Sequence, residues 1–246
     1  MTHRPAHDSN ISEIEDDEVG KHETSLVGLG LYSPADAARL IKVPAAKLTR
    51  WLKGHGSGNR TYPPLWTRQI EPIDGGLYLG FLDLIQSRMT AAFIAAGLSP
   101  QKVRHALVLA KDLIENDHPF ATSRFKTDGR TLLLEALTDT EEDRPLVDLF
   151  KRGQYVMRNV IEPSLKGIDF ETDIAVRWWP RGRSQDIVLD PKRQFGQPIV
   201  DSFGVPTSVL SAAASAEGSV AKAAEIYRVT PEAVRRAVDF ELGLSS

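Results

Sequence analysis

The chain contains no cysteine. Disulfides, thiolate metal sites and thiol chemistry are excluded, and a reducing cytoplasm is the expected setting. No apolar run approaches the roughly 20 residues that a membrane helix needs, and the opening MTHRPAHDSN lacks the apolar stretch of a signal peptide. No membrane partner is expected. The six histidines (His3, His7, His22, His55, His105 and His118) fall at no ligand spacing on one element. Gly54, Gly56 and Gly58 lack the order of a phosphate-binding loop, and Gly56-Ser57-Gly58 falls short of a nucleophile elbow. The acid pairs Asp16-Asp17 and Glu141-Glu142 sit in polar stretches, unlike preorganised catalytic carboxylates. The sequence therefore offers no catalytic centre, no metal site and no cofactor site, and a non-enzymatic role is expected.

What is present is charge sorted by position. The net charge is only −3 over 246 residues, a balance that by itself argues against nucleic-acid binding. Residues 1–24, however, carry seven acids against Arg4 and Lys21, a net of −5, with little apolar content. They are expected to be a disordered acidic tail. Residues 31–70 hold Arg39, Lys42, Lys47, Arg50, Lys53, Arg60 and Arg68 against Asp36 alone, a net of +6. Clustered cations of this kind are the electrostatic footprint of a phosphate-binding surface.

The same stretch is patterned as two short helices. In LYSPADAARLIKVPAAKLTRWLK, Ser33 is a good N-cap, Pro34 suits the first helical position, and Asp36 places a carboxylate in the first turn. Ala37, Ala38, Leu40 and Ile41 form an apolar stripe, and Pro44 restarts the helix after Lys42 and Val43. In the second helix Leu48, Trp51 and Leu52 share one side, while Ala46, Thr49, Arg50 and Lys53 share the other. Two helices, a tight turn and a basic outer face form the pattern of a helix-turn-helix DNA reader. Leu65–Ile73, Asp74-Gly75-Gly76 and Leu77–Leu79 read as a β-hairpin, which would be a wing carrying Arg60 and Arg68 to the phosphate backbone. The candidate DNA-binding residues are thus Ala46, Lys47, Thr49, Arg50, Lys53, Arg60 and Arg68.

Two long helices follow, Phe81 to Ala96 and from Ser99-Pro100 to about Asn116, whose wide apolar faces would cover the helix pair and leave a dimer surface. His118 to Ala136 reads as a second hairpin turning at Thr127-Asp128-Gly129-Arg130, followed by a helix from about Pro145 to Ile161. DIAVRWW (173–179) and DIVLD (186–190) read as strands. Alternation along a half-buried strand would expose either Trp178 or Trp179, a candidate partner anchor beside Arg177, Arg181 and Arg183. Both tryptophans in the core is the open alternative. Near the end, Pro206-Thr207 starts a helix that Gly218 stops, Ser219 caps a second through Tyr227, and Thr230-Pro231 starts a third. This makes a second helix-turn-helix with a net charge of −1 over residues 207–246, better suited to dimerisation or protein binding.

The fold class expected is mainly α with small β elements (α+β): a winged helix-turn-helix over 25–118, a β-hairpin and helix unit over 119–190, and a three-helix unit over 191–246. IVLDPKRQFGQPIV, followed by GVPTSVL, SVAKAAEIY and VTPEAVRRAVDF, resembles a bacterial helix-turn-helix domain found in antitoxins paired with PIN-like ribonuclease toxins. With the MerR-like YSPADAARLIKVPAAKLTRWL, the arrangement resembles the larger VapB-type antitoxins over roughly residues 30–245. One departure is Ser202-Phe203-Gly204-Val205, where the family has a Gly-Thr-Arg-type turn. The resemblance implies a homodimer that binds double-stranded DNA at its own promoter and neutralises a PIN-like toxin. A MerR-like regulator sensing a small molecule, and a protein-interaction module without DNA binding, are the alternative readings.

Overall fold

The computed structural model describes residues 26–58, 60–138, 155 and 157–245. The acidic segment 1–24, the polar loop at Glu141–Asp143 and most of the helix expected over 145–161 lie outside them. Within them the protein is α+β, as the sequence patterns indicate. Helices α1 (Pro34–Ile41) and α2 (Ala45–Lys53) lead into a short antiparallel ribbon, β1 (His55–Ser57) and β2 (Arg60–Tyr62). The long helices α3 (Phe81–Ala95) and α4 (Pro100–Ile114) cover this pair. Helix α5 (Ser123–Thr138), a π-helical turn (Met157–Ile161) and the one-turn α6 (Glu162–Leu165) then lead to an antiparallel meander in chain order. Its strands are β3 (Ile168–Glu171), β4 (Ile174–Trp178), β5 (Ile187–Leu189), β6 (Pro198–Val200) and β7 (Val205–Pro206). Helices α7 (Thr207–Glu217), α8 (Val220–Tyr227) and α9 (Pro231–Ser245) complete the fold.

Local chemistry sets most of these boundaries. The Ser33 hydroxyl accepts from the Asp36 N–H while the Asp36 carboxylate accepts from the Ser33 N–H, a reciprocal capping box that starts α1. Lys42, in a left-handed conformation at φ 55°, ends it. Ser99 and Ser219 cap α4 and α8 with single bonds, their hydroxyls accepting from the N–H groups of Lys102 and Lys222. One continuous apolar core runs from Tyr32 through α2, α3 and α4 to Trp178 and Leu189, and a second gathers Leu210, Ala223, Ala224, Val234 and Ala237 under β6.

Three sequence expectations are corrected. First, the hairpin after α2 is the ribbon 55–62, and residues 65–79 are largely irregular, held by single bridges at Ile73–Gly76 and Tyr32–Leu79. Second, the hairpin expected over 118–136 is helix α5. Thr122 Oγ1 accepts from the Phe125 N–H at 3.1 Å and Asp173 accepts from the Arg124 N–H at 2.7 Å, so the helix start is doubly capped. Gly129 lies inside that helix, where a Cβ would crowd Ile161 at 3.1 Å; its role is close packing, and no turn forms there. Third, of the two readings open for the tryptophans the core one holds: Trp178 and Trp179 are 4% and 6% exposed, so neither is a solvent-facing anchor. Alternation does send them to opposite faces, but both faces of β4 are covered. Trp178 belongs to the main core and Trp179 packs with Val188 and Ile199.

The arginines beside these tryptophans are engaged within the chain. Arg183 bonds Asp169 at 2.5 Å and lies over the Trp179 ring, whose N–H also donates to Asp169. Arg177 Nε is 3.3 Å from the same carboxylate, and Arg181 donates to the Asp239 carbonyl while covering Phe240. On α3, Arg88 stacks over Trp178 with one guanidinium nitrogen unpartnered among the described residues, and burial pushes its pKa down to about 10. It stays protonated at neutral pH, so the shift expresses a folding cost of burying the cation.

The two ends of the chain are laced together. Tyr32, 2% exposed, donates its hydroxyl to the Gly196 carbonyl at 2.7 Å, and burial pushes the phenol pKa up. The Leu31 N–H donates to the Phe195 carbonyl at 2.9 Å, in a turn where Gln194, Phe195 and Gly196 all have positive φ. Arg39 pairs with Glu241 at 3.2 Å, and Lys42 donates to the Gly243 carbonyl at 2.5 Å. Helix α9 therefore grips α1. A buried carboxylate, Asp83 on α3, joins the surrounding loops: it accepts from the Trp66 indole at 2.9 Å, the Gln69 and Gly80 N–H groups at 3.0 Å, and His118 Nε2 at 2.9 Å.

Candidate nucleic-acid interface

Helix α2 has two unlike sides. Leu48, Trp51 and Leu52 are buried against α1 and α3, whereas Ala46, Arg50 and Lys53 are exposed and Lys47 and Thr49 half-buried. The Lys47 ammonium lies 5.4 Å from the Trp51 ring centroid, which holds its aliphatic stem along the helix. Thr49 donates its hydroxyl hydrogen back to the Ala45 carbonyl at 2.9 Å, so its Oγ1 faces other groups as an acceptor. Ala46 adds no bulk. The outer face is therefore cationic, with a small central position that permits close approach.

The ribbon flanks this face. His55 and Tyr62 pair directly and stack at 4.9 Å between centroids, 16° from parallel. From α4, Arg104 donates to the carbonyls of Pro63 and Pro64 at 2.6 and 2.9 Å, fixing the angle at which the ribbon leaves the body. Between α2, the ribbon and the start of α4 lies a cleft of about 330 Å³, lined among others by Lys47, Arg50, His55, Tyr62, Gln101 and Arg104. Gly54 makes the turn possible. It sits at φ 74° and ψ −178°, and a Cβ there would lie 2.9 Å from the Pro63 carbonyl carbon and closer still to the Tyr62 oxygen. Gly54→Ala is expected to cost about 3 kcal/mol and to loosen the ribbon, measurable as a lower denaturation midpoint and faster amide exchange over 55–62.

The structure thus brings Ala46, Lys47, Thr49, Arg50 and Lys53 onto one helix face, with Arg60 on β2 opposite Ser57. Arg68 stands apart, in a second and larger cleft that it shares only with the Lys53 end of α2. Sequence reading missed His55, Tyr62, Gln101 and Arg104. Placing the ribbon at 55–62 would have found the aromatic pair; Arg104 is reachable only through the tertiary fold. The second helix pair, α8 and α9, is electrostatically self-contained by comparison, since Arg235 and Arg236 both pair with Glu232 at 3.2 Å. Among the described residues no group of three or more His, Asp or Glu is placed to hold a metal ion, and no helix is long and apolar enough to cross a membrane.

A small helical module with one cationic face is continuous in its core with a β-meander and laced to a C-terminal helix bundle. Over 225 residues the chain is 30% identical to a Mycobacterium tuberculosis protein provisionally named antitoxin VapB45, covering 85% of this chain and 92% of that one. The chain belongs to the VapB-type antitoxin family. It also matches the crystal structure of Rv2018 from Mycobacterium tuberculosis with a TM-score of 0.67 and 28% identity, over 87% of this chain and 99% of that one. No protein-family model matches.

Proposed function

We propose that the protein is a cytoplasmic, homodimeric DNA-binding antitoxin that represses its own promoter and neutralises a PIN-like ribonuclease toxin. The observation that carries the DNA reading is the exposed face of α2, where Ala46, Arg50 and Lys53 stand clear of the core beside the His55–Tyr62 ribbon. In this reading α1 and α2 are the helix-turn-helix and the ribbon is its wing. Arg50 reads a guanine in the major groove, Ala46 and Thr49 face base edges, and Lys47, Lys53 and Arg60 hold phosphates. Arg68, assigned to phosphate from sequence, does not join that group. The antitoxin role rests on the family, and the PIN-like identity of the toxin on the sequence resemblance. Val108 and Leu113, each 53% exposed on α4, support a dimer face there. Two-fold symmetry then requires a palindromic operator.

The test is fluorescence anisotropy with a duplex from the gene's own upstream region against a scrambled duplex, over a salt series. With three phosphate contacts per protomer, from Lys47, Lys53 and Arg60, the logarithm of affinity should fall against the logarithm of salt with a slope of about −3 for each protomer bound. Equal, weak and salt-insensitive binding to both duplexes would establish the alternative, a module whose helix pairs bind protein alone. The toxin half is tested by co-purification with the product of the adjacent gene.

A further inference from the structure

The larger cleft lies at the C-terminal end of α2, bordered by Leu52 and Lys53. Its volume is about 730 Å³, within the range of small-molecule sites. Its walls are about half apolar, and the apolar part that reaches the opening comes from Pro64, Leu65 and Pro72 in the loop after the ribbon, above the buried Leu52, Trp66 and Leu107. Arg68 lies in this wall. Its Nη1 is without accessible surface and has no hydrogen-bond partner among the described residues. Leaving a charged donor unpaired under cover opposes folding, so the guanidinium is retained at a loss in the unliganded protein. Such a loss is a feature of sites that await a ligand.

The remaining charges narrow what that ligand is. Lys111 and Asp117 both line the cleft but neutralise each other at 2.6 Å; this contact raises the lysine pKa and lowers that of the aspartate. Glu71 is an exposed residue of the same wall, and Lys53 supplies a second cation at the α2 end. We infer that this cleft is a binding site for a small amphipathic carboxylate, whose anionic head takes Arg68 and whose apolar body lies against Pro64, Leu65 and Pro72. A planar guanidinium matches a carboxylate with two parallel hydrogen bonds, and a rotation of its terminal torsions gives Nη1 the acceptor it lacks. A multiply charged phosphate with no apolar body would leave the apolar half of the wall uncovered. Because Lys53 belongs to the cleft and to the face assigned to DNA, an occupied site withdraws it from phosphate and weakens DNA binding. That coupling rests on the DNA reading above; the binding site does not.

Benzoate is the probe, with benzamide as its neutral counterpart and inorganic phosphate as charge without an apolar body. A ligand of about nine non-hydrogen atoms should bind with a dissociation constant of about 1 mM, read by calorimetry and by indole fluorescence on the full chain without DNA. Benzamide and phosphate should each bind at least roughly tenfold more weakly, a factor worth one bidentate charge-assisted contact. Arg68→Met should abolish benzoate binding while melting no lower than the parent, and Lys53→Met should weaken it severalfold. Equal binding of benzamide, stronger binding of phosphate, no saturable binding of benzoate, or an Arg68→Met variant that still binds or melts several degrees lower would each overturn the inference. A protein that binds benzoate but no DNA would refute the DNA reading and leave the site standing. With both intact, saturating benzoate should lower duplex affinity, and Lys53→Met should remove that effect.

Discussion

Arg50→Ala is expected to lower affinity for the preferred duplex by about 5- to 150-fold, the value of one bidentate contact to guanine, while leaving scrambled DNA bound nearly as before. The reason is position. Arg50 lies between the small Ala46 and the ribbon cleft on the exposed side of α2, where a side chain can reach a base edge only if the helix axis itself enters the groove. Lys53→Ala should behave differently, weakening every sequence alike and reducing the salt slope by about one. The pair is therefore diagnostic. Base readout predicts a selective loss at position 50 and a uniform loss at position 53, measured as competition between parent and single-base-substituted duplexes. If both variants bind all duplexes like the parent, α2 is not the reading helix. Uniform loss for both would leave α2 as a phosphate contact and move the search for readout to α8 and α9.

Asp83→Ala is expected to have the largest effect on stability, about 3–5 kcal/mol. The carboxylate is completely buried and accepts four hydrogen bonds, from Trp66, Gln69, Gly80 and His118. Truncation removes all four acceptor contacts and leaves four donors without partners in a site with no room to relax. Against a total of about 5–15 kcal/mol for a natural domain, the loss should lower the melting temperature by roughly 10–20 °C. Calorimetry would measure it. Asp83→Asn keeps the shape and one acceptor oxygen but points an amide at two donors, so it should fall between parent and alanine variant. A change in the Asp83→Ala melting temperature of only a degree or two would show that the loops around α3 are held by apolar packing alone.

How much of this was legible in the sequence depends on how local the cause is. Helix starts at Ser33, Ser99 and Ser219, and the stop at Gly218, are written in the residues that form the caps and are legible without the tertiary fold. The basic face of α2 followed from helical periodicity alone. The failures are tertiary. Thr127-Asp128-Gly129-Arg130 has the composition of a turn, yet Gly129 packs inside α5 because Phe125 and Ile161 close on it. Strands β3, β6 and β7 are only two to four residues long, too short for a readable alternation. Trp178 and Trp179 alternate as expected; nothing in their own neighbourhood discloses that elements distant in the chain cover both sides. Arg68 shows the same limit from the charge side. Its sign was readable, but whether it faces solvent, phosphate or an enclosed cleft is decided by Leu107 and Trp66, far away or across a loop.

The lacing of Tyr32 to Gly196, and of Arg39 and Lys42 to α9, has a consequence for synthesis. The hydroxyl of Tyr32 waits for a carbonyl 164 residues later in the chain. At about 5–20 residues per second of translation, helix α1 spends on the order of ten seconds outside the ribosome before its clasp exists. During that interval Leu31, Tyr32, Arg39 and Leu40 lack the surface that α9 and the turn at Phe195 later provide. The first module of the chain to be made is thus among the last to be finished, and ribosome-bound chains halted before residue 196 should show α1 open to protease while the released protein shows it closed.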